Sequence, residues 1–270
     1  MYRIFVLGGN NAEIAAIALL LRLAGERFIQ PDKNPGAHKF SAEQLGLKTM
    51  ISKSAMGDKE IPCIHECSTI IFVGCGATEE FPYCEKFIFI DQCSLELVTK
   101  AAILQVMDLL ETRNSDATRR WAELVAAHNV GYIPAMMALG ATTEEIQRVC
   151  AFDRKSRGIS TAEEIEAMSA IASKKISGRL ATLELAHSQF STVRDRLYGL
   201  YDQLLIFSKK DEVRFYGDHD ICEAVDKRFA SMRSRFIRDE PGKWVGWNIK
   251  TPSFSVRDIK EFILQKLRAK

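Results

Sequence analysis

The fold is decided by an apolar run that ends in polar residues, Lys86-Phe87-Ile88-Phe89-Ile90-Asp91-Gln92-Cys93. An apolar run of this length is typical of a buried strand. In open α/β sheets, ligands bind outside the carboxyl ends of the parallel strands, so Asp91 stands where a functional side chain is expected. A helix over residues 95–110 is predicted to follow. The alternative is that Asp91 or Ser94 only caps this helix, because both residue types are favoured caps.

A second strand end of the same kind lies near the start of the sequence. The apolar residues 2–7 are followed by Gly8-Gly9-Asn10-Asn11-Ala12-Glu13 and by an apolar segment over residues 14–23. The order of strand, glycine turn and helix presents backbone N–H groups to an anion. We therefore expect Asn10, Asn11 and Glu13 to face the same edge as Asp91. The glycines do not have the spacing of dinucleotide-binding motifs, and no Walker lysine follows them.

A third apolar run, over residues 68–73, ends in Gly74-Cys75-Gly76. Apolar runs alternate with helical patterns between residues 1 and 112, which predicts an α/β fold with a parallel sheet and helices on both of its faces. Three strand ends would then converge on one edge of the sheet. Short strands are expected near Phe28 and Ile61, within an otherwise irregular stretch over residues 31–62.

The sequence becomes helical after residue 94. Two capping boxes, Thr142 with Glu145 and Ser160 with Glu163, mark helix starts. An earlier helix, over residues 121–129, carries His128 near its end. This histidine is either placed favourably in the field of the helix dipole, or it is a ligand that needs neighbours from elsewhere in the fold.

A second, smaller α/β domain is predicted beyond residue 178. Strand patterns cover residues 180–185, 203–208 and 212–216, the last two forming a hairpin, and helical patterns cover residues 190–198, 220–229 and 256–267. The predicted organisation is a parallel α/β domain over residues 1–160 that carries the site, a helical linker over residues 161–178, and a small domain over residues 179–270 that closes the cleft.

Composition narrows the functional classes. The 270 residues include 37 basic and 35 acidic ones mixed along the chain, so the formal net charge is only +2. This balance predicts no strong general affinity for nucleic acid or for an anionic membrane. Residues 14–23 are too few to span a bilayer.

The seven cysteines are an odd number, and no basic-then-apolar leader precedes them. Reduced thiols and a cytoplasmic location are the expectation. The stretch Cys63-Ile64-His65-Glu66-Cys67 has the residue types of a zinc knuckle but lacks a second cluster at finger-like spacing. Buried or half-buried thiols are the default interpretation of these cysteines.

The order of these features resembles the DHH phosphoesterases. Residues 87–93 stand where that family has its name-giving Ile-Asp-His-His, Asn10-Asn11-Ala12-Glu13 stands in place of an Asp-x-Asp, and Ala126-Ala127-His128-Asn129 occupies the place of a later aspartate. Gly246-Trp247-Asn248 is similar to a glycine-rich loop that contacts phosphate in the carboxyl-terminal domain. The resemblance implies two domains, a sheet that holds paired manganese ions, and hydrolysis of phosphate esters.

The chain departs from the family at most metal-ligand positions. Only Asp91 is unchanged, while Asn11 and Glu13 replace two aspartates and Gln92-Cys93 replaces the histidine pair. Neutral amides cannot offset the repulsion between two divalent ions as carboxylates do. One manganese or zinc ion, held by Asp91 with some of Glu13, Cys93 and His128, remains open, and the thiolate favours zinc.

Two functions follow from the resemblance, and a third interpretation discards it. The first is metal-assisted hydrolysis of a phosphate ester or nucleotide, in which Asp91 and His128 are catalytic and the substrate is a phosphorylated small molecule or short nucleotide. The second is an inactive relative that binds such a ligand. The third is an unrelated two-domain α/β protein. The sequence leaves a homo-oligomer open. The expected substrate contacts are Asn10, Asn11, His187, Arg194, Arg196, Gly246 and Asn248, with a solvated helix face as the alternative for the two arginines.

Overall fold

The structure is a computed structural model that describes residues 2–31, 39–40, 67–77, 86–90, 100–110, 115–230, 235–238, 245–250 and 254–269. The chain packs as two compact units, residues 1–130 and residues 131–270. Both contain helices and strands, so the predicted two-domain α/β fold class is confirmed. None of the helices within the described ranges is long and apolar enough to cross a membrane.

The first unit contains a parallel sheet. Its strands are β1 (Tyr2–Leu7), β2 (Arg27–Ile29), β3 (Lys39–Phe40), β4 (Cys67–Val73), β5 (Gly76–Ala77) and β6 (Lys86–Ile90). Four of them form the parallel sheet in the order β2-β1-β4-β6, and β3 pairs with β5. The side chains of Phe5 and Val6, and of Ile71 and Phe72, are almost fully buried, as expected for central strands covered on both faces.

One described helix of the first unit connects the parallel strands β1 and β2, and two more follow β6. They are α1 (Ala12–Leu23), α2 (Ala102–Leu110) and α3 (Asp116–Ala138), which continues into the second unit. The predicted helix over residues 95–110 is wrong at Lys100 and Ala101, which are not helical, and residues 95–99 lie outside the described residues. The expected strand near Phe28 is β2. The one near Ile61 lies outside the described residues.

The helix α3 is broken where the two units divide. Gly131 (φ −144°, ψ 21°) and Tyr132 (φ 57°, ψ −145°) both leave the helical region. Glycine tolerates such a conformation, but for tyrosine a positive φ is strained. Side-chain contacts of Tyr132, described below, hold this residue in place.

The second unit is built on one mixed sheet. Its strands are β7 (Lys175–Ser177), β8 (Leu180–Leu185), β9 (Gln203–Ser208), β10 (Glu212–Gly217), β11 (Arg235–Arg238) and β12 (Val245–Lys250), and its helices are α4 (Thr143–Ser156), α5 (Thr161–Ala172), α6 (Ser191–Leu197), α7 (His219–Phe229) and α8 (Val256–Arg268). The sheet order is β11-β12-β10-β9-β8-β7, with β8 parallel to β9 and the other pairs antiparallel.

Alternation along β10 gives this sheet two apolar faces. Phe215 packs in a cluster with residues of α7 and α8, whereas its neighbour Tyr216 packs in a second cluster with residues of α5 and α6. Successive side chains of a strand point to opposite faces, so helices cover both sides of the sheet. The residues predicted to form a linker, 161–178, form α5 and β7 within this unit, and Ala167 and Ala170 of α5 lie in the second cluster.

Candidate functional site

The carboxyl ends of three parallel strands lie together in the first unit. Leu7 pairs with Val73 and Val73 pairs with Ile90 in the sheet register. The Gly8 N–H donates to the Val73 carbonyl at 2.9 Å, and the Gly74 N–H donates to the Ile90 carbonyl at 2.9 Å. The prediction that these strand ends share one rim is therefore confirmed. We call the rim formed by Leu7, Val73 and Ile90 the strand-end edge.

The turn after β1 needs glycine because two chain segments approach closely there. A Cβ atom on Gly8 would lie 2.5 Å from the Cβ of Cys75 and 2.7 Å from the Gly74 carbonyl oxygen. Gly9 and Gly74 both have positive φ, at +91° and +64°, a region that favours glycine. The glycines thus allow the loops after β1 and β4 to lie side by side at the strand-end edge.

Asn11 caps the helix that follows this turn. Its Oδ1 accepts a hydrogen bond from the Ile14 N–H at 3.0 Å, and its Nδ2 donates to the Oδ1 of Asn129 at 3.3 Å. The neighbouring Asn10 is partly exposed in the loop. Asn11 therefore holds α1 and α3 together through these hydrogen bonds.

Glu13 lies beneath the turn and is fully buried, with 0% relative exposure. Its Oε1 accepts from the Ile103 N–H at 3.1 Å and its Oε2 accepts from the Asn129 Nδ2 at 2.7 Å. Burial raises the pKa of this carboxyl, and backbone hydrogen bonds from Ile103 and Ala102 offset part of that increase. The carboxylate joins α1, the start of α2 and α3.

Sequence reasoning missed Asn129 and Gln30. Asn129 contacts both Asn11 and Glu13, and it follows His128, which is buried in α3 with 8% relative exposure. Gln30 comes directly after β2, and its Nε2 donates to the Gly9 carbonyl at 3.0 Å. The signal for Gln30 was the same as for Asp91, a polar residue directly after an apolar strand.

Cys75 is buried against β1. Its thiol donates to the Val6 carbonyl at 3.4 Å, and burial raises its pKa to about 11 although a backbone hydrogen bond from Val73 lowers it. Cys75, Cys150 and Cys222 are all free thiols. Cys75 therefore stays protonated at neutral pH and does not act as a thiolate ligand in this environment.

Several predicted site residues lie outside the described residues. These are Asp91, Gln92 and Cys93, together with residues 63–66 of the candidate zinc knuckle. Within the described ranges, no three His, Cys, Asp or Glu side chains are grouped as a metal ion requires.

His187, in the second unit, uses both ring nitrogens within the protein. Its Nδ1 accepts from the Gln189 N–H at 3.1 Å, so its Nε2 carries the proton, and Nε2 lies 2.9 Å from both the Glu163 carbonyl and the Oε2 of Glu166. The ring thus joins the segment after β8 to α5. Its assignment as a substrate contact stays a prediction.

Arg194 and Arg196 belong to a network of charges between α4, α5 and α6. Arg196 donates to Glu164, while the Arg194 guanidinium carbon lies 3.8 Å from the centre of the Tyr132 ring and its Nε donates to the Tyr132 hydroxyl at 3.1 Å. The Tyr132 hydroxyl in turn donates to Asp195. Arg194 also pairs with Asp195, at 3.7 Å, so the two arginines belong to a larger and half-buried network.

The expectation that Gly246-Trp247-Asn248 forms a loop is wrong. Gly246 pairs with Tyr216 of β10 and Ile237 of β11, and Asn248 pairs with Arg214 and Arg235. The reason is Trp247, which is fully buried and donates from Nε1 to Asp226 at 3.0 Å. A phosphate contact by Gly246 or Asn248 stays a prediction.

These features define an α/β protein of two units. In the first unit, three parallel strands end at one edge of the sheet, which is where open sheets bind ligands. No protein-family model matches the sequence, and no curated protein matches it either. Among solved structures, the chain is similar to a pGpG-specific phosphodiesterase, PggH from Vibrio cholerae, with a TM-score of 0.44 and 12% identity over 99% of this chain and 98% of that one.

Two other solved structures are similar over almost the whole chain. One is RecJ from Thermus thermophilus in complex with Mg²⁺, with a TM-score of 0.41 and 10% identity, covering 99% of this chain and 50% of RecJ. The other is an uncharacterized protein from Helicobacter pylori, with a TM-score of 0.31 and 11% identity over 100% of both chains.

Proposed function

We propose that the first unit hydrolyses a phosphate ester of a small molecule or short nucleotide at the strand-end edge, with Asp91 as a ligand of a divalent metal ion. The observation that supports this is the common end of β1, β4 and β6. Asp91 is the residue that follows β6 in the sequence, and ligands of open α/β sheets bind beyond such strand ends. The motif order that resembles the DHH phosphoesterases agrees with this assignment.

We assign Asp91 and Cys93 as ligands of the ion and give His128 the separate role of proton donor. Glu13 does not fit a metal site, because it is fully buried and each of its oxygens already accepts a hydrogen bond from the protein. A set with one thiolate favours zinc, whereas manganese prefers oxygen ligands. Bound there, the ion would lower the pKa of a water molecule and polarise a phosphoryl oxygen.

The chain's own groups have separate roles in this proposal. The backbone N–H groups of the turn after β1 would bind the phosphate, as glycine turns before helices do. Asn10, which is partly exposed in that turn, would orient the ester. His128 would hold a proton for the leaving oxygen, which is the usual task of a histidine near neutral pH.

Binding of a phosphorylated ligand without hydrolysis is a second candidate function. The observation that favours it is the use of Glu13 within the protein, since this removes one anionic ligand from the predicted metal set. The glycine turn and Asn10 would then still bind phosphate, with no divalent ion needed.

Metal analysis and hydrolysis assays separate the two functions. We expect purified protein to contain close to one zinc or manganese ion per chain, to hydrolyse an activated aryl phosphodiester, to lose activity on chelation and to regain it when the ion returns. Metal-free protein that binds a nucleotide but never hydrolyses the ester would establish the second function. Protein that shows neither metal, hydrolysis nor nucleotide binding would overturn both.

A further inference from the structure

The second unit contains a cleft that the proposed function does not use. It lies between α4, α6 and the end of α3, and its volume is about 590 Å³, which is within the ~300–1,000 Å³ typical of small-molecule sites. Two apolar side chains at the cleft are exposed, Met137 at 57% and Leu200 at 68%. Ile133, Ile146 and Tyr198 extend this apolar lining.

The polar part of the cleft is formed by Arg154, Asp195 and Arg196. The side chains of Arg154 and Asp195 are only 6% and 3% exposed, and they pair at 2.7 Å. Arg154 also donates from Nε to Glu164 at 2.7 Å. Its Nε and Nη1 groups are the ones that these two carboxylates use, and Nη2 is not among the buried polar atoms left without a partner in the described residues.

Guanidinium groups outnumber carboxylates by one in the ion pairs found around this arginine among the described residues. Three guanidinium groups, those of Arg154, Arg194 and Arg196, contact two carboxylates, those of Asp195 and Glu164. Burial and the nearby Asp195 raise the pKa of Tyr132 well above its usual range, so this phenol stays neutral. Asp153, also buried on α4, is already paired with Arg157 at 2.8 Å.

Glu164 remains ionised in this network. Burial alone would raise its pKa, but hydrogen bonds from Arg154 and Arg196 outweigh that effect and lower it. A single negative charge would therefore neutralise the cleft, whereas a dianion would leave an uncompensated charge in a partly buried site, which is costly.

We propose that this cleft binds a small monocarboxylate with an apolar body, its carboxylate on Arg154 and Arg196 and its body against Met137, Tyr198 and Leu200. Guanidinium groups bind carboxylates through paired, charge-assisted hydrogen bonds, and Arg154 and Arg196 both line the cleft. The side chain of Tyr132 holds this network in place, because its ring contacts Arg194 and its hydroxyl donates to Asp195. Its strained backbone is consistent with a residue kept for such a role.

Three probes of one shape test the charge requirement on the full chain: phenylbutyrate, its neutral amide phenylbutyramide, and the cation phenylbutylamine. By titration calorimetry with a chelator present, we expect phenylbutyrate to bind one site per chain and at least about tenfold more tightly than the other two, given the strength of charge-assisted hydrogen bonds. Equal binding of the three probes, or no binding of phenylbutyrate, would overturn the proposal.

A matched pair of variants tests the location. Ala151 is exposed and lines the cleft, so Ala151→Trp fills it without changing the core, while Ala162→Trp adds the same bulk at an exposed position of α5 outside the cleft lining. We expect Ala151→Trp to weaken phenylbutyrate binding at least about tenfold, as loss of a contact pocket does, and Ala162→Trp to leave it unchanged. Unchanged binding in Ala151→Trp, at a wild-type melting temperature, would place the ligand elsewhere and contradict the proposal.

Discussion

Glu13 is the residue whose protonation most directly affects the first unit. It has no exposed surface, and burial raises its folded-state pKa above the ordinary value of 4.5. The folded chain therefore binds more protons than the unfolded chain at pH values just above 4.5. By linkage, the contribution of Glu13 to stability falls as the pH rises from 4.5 to the folded-state pKa.

Comparison with Glu13→Gln isolates this effect, because glutamine does not titrate. We expect the free energy of unfolding of the wild type, minus that of the variant, to decrease as the pH rises above 4.5, with a slope of at most about 1.4 kcal/mol per pH unit for one proton. Urea unfolding at several pH values measures it. A difference that increases with pH would mean that Glu13 is stabilised as an anion.

The thiols provide a second test at the residue scale. Burial raises the pKa of Cys75 to about 11 and that of Cys222 to about 12, although a backbone hydrogen bond lowers each in part. The pKa of Cys150 is also raised, mainly by burial. Only the thiolate reacts with disulfide reagents, so these three groups should react at least about tenfold more slowly than an ordinary cysteine in native protein.

Denaturation should expose all seven thiols without a reducing agent, since we expect no disulfide in the chain. Colorimetric thiol titration before and after denaturation measures how many thiols react in the native and in the denatured protein. Five or fewer thiols recovered from fresh, denatured protein would show a disulfide, and rapid native reaction of Cys75 would show that the loop after β4 opens.

At the scale of elements, α5 depends on its capping box. Ser160 accepts from the Glu163 N–H at 3.3 Å, and the Glu163 carboxylate accepts from the Ser160 N–H at 2.8 Å. We expect Ser160→Ala to reduce the free energy of unfolding by about 1 kcal/mol, the typical cost of losing such a cap. Ser169→Ala, at an exposed interior position of the same helix, should be neutral or slightly stabilising because alanine favours helix.

Denaturant unfolding of both variants makes the comparison. An equal loss of unfolding free energy in Ser160→Ala and Ser169→Ala would contradict the role of the cap. Each change removes one hydroxyl from the helix or its start, but only Ser160→Ala removes a cap.

The sequence predicted well those helices and strands whose bounds depend on residues close together in the chain. Both capping boxes are present, and the strands predicted over residues 180–185 and 203–208 coincide with β8 and β9. The convergence of Leu7, Val73 and Ile90 was also predictable, because parallel strands in an α/β pattern must end at one edge.

What sequence could not predict depends on contacts between distant residues. Glu13 was expected at the edge, but its pairing with Asn129, far along the chain, buries it. Gly246 and Asn248 were expected in a loop because of the resemblance to the DHH phosphoesterases, yet Trp247 is buried and the stretch pairs within the sheet. The break in α3 lies just beyond the helix predicted over residues 121–129, whereas the positive φ of Tyr132 had no signal, since tyrosine rarely adopts it.

At the scale of the whole molecule, the two proposed sites lie in different units. The strand-end edge belongs to residues 1–130, and the cleft of Arg154 and Asp195 belongs to residues 131–270. The two proposals are therefore tested with separate variants, Asp91→Asn for hydrolysis and Ala151→Trp for carboxylate binding.

The central claim is that Asp91 holds a catalytic metal ion, and the change Asp91→Asn tests it most directly. The matched control is Asp116→Asn, which alters an exposed aspartate in the first turn of α3. Metal content, aryl phosphodiester hydrolysis and melting temperature are measured on both variants and the wild type. We expect Asp91→Asn to lose the metal ion and the activity and to melt at the temperature of chelator-treated wild type, because only the stabilisation by the bound ion is lost while asparagine caps a helix about as well as aspartate. Asp116→Asn should retain both metal and activity. Wild-type metal content and hydrolysis in Asp91→Asn would contradict the account.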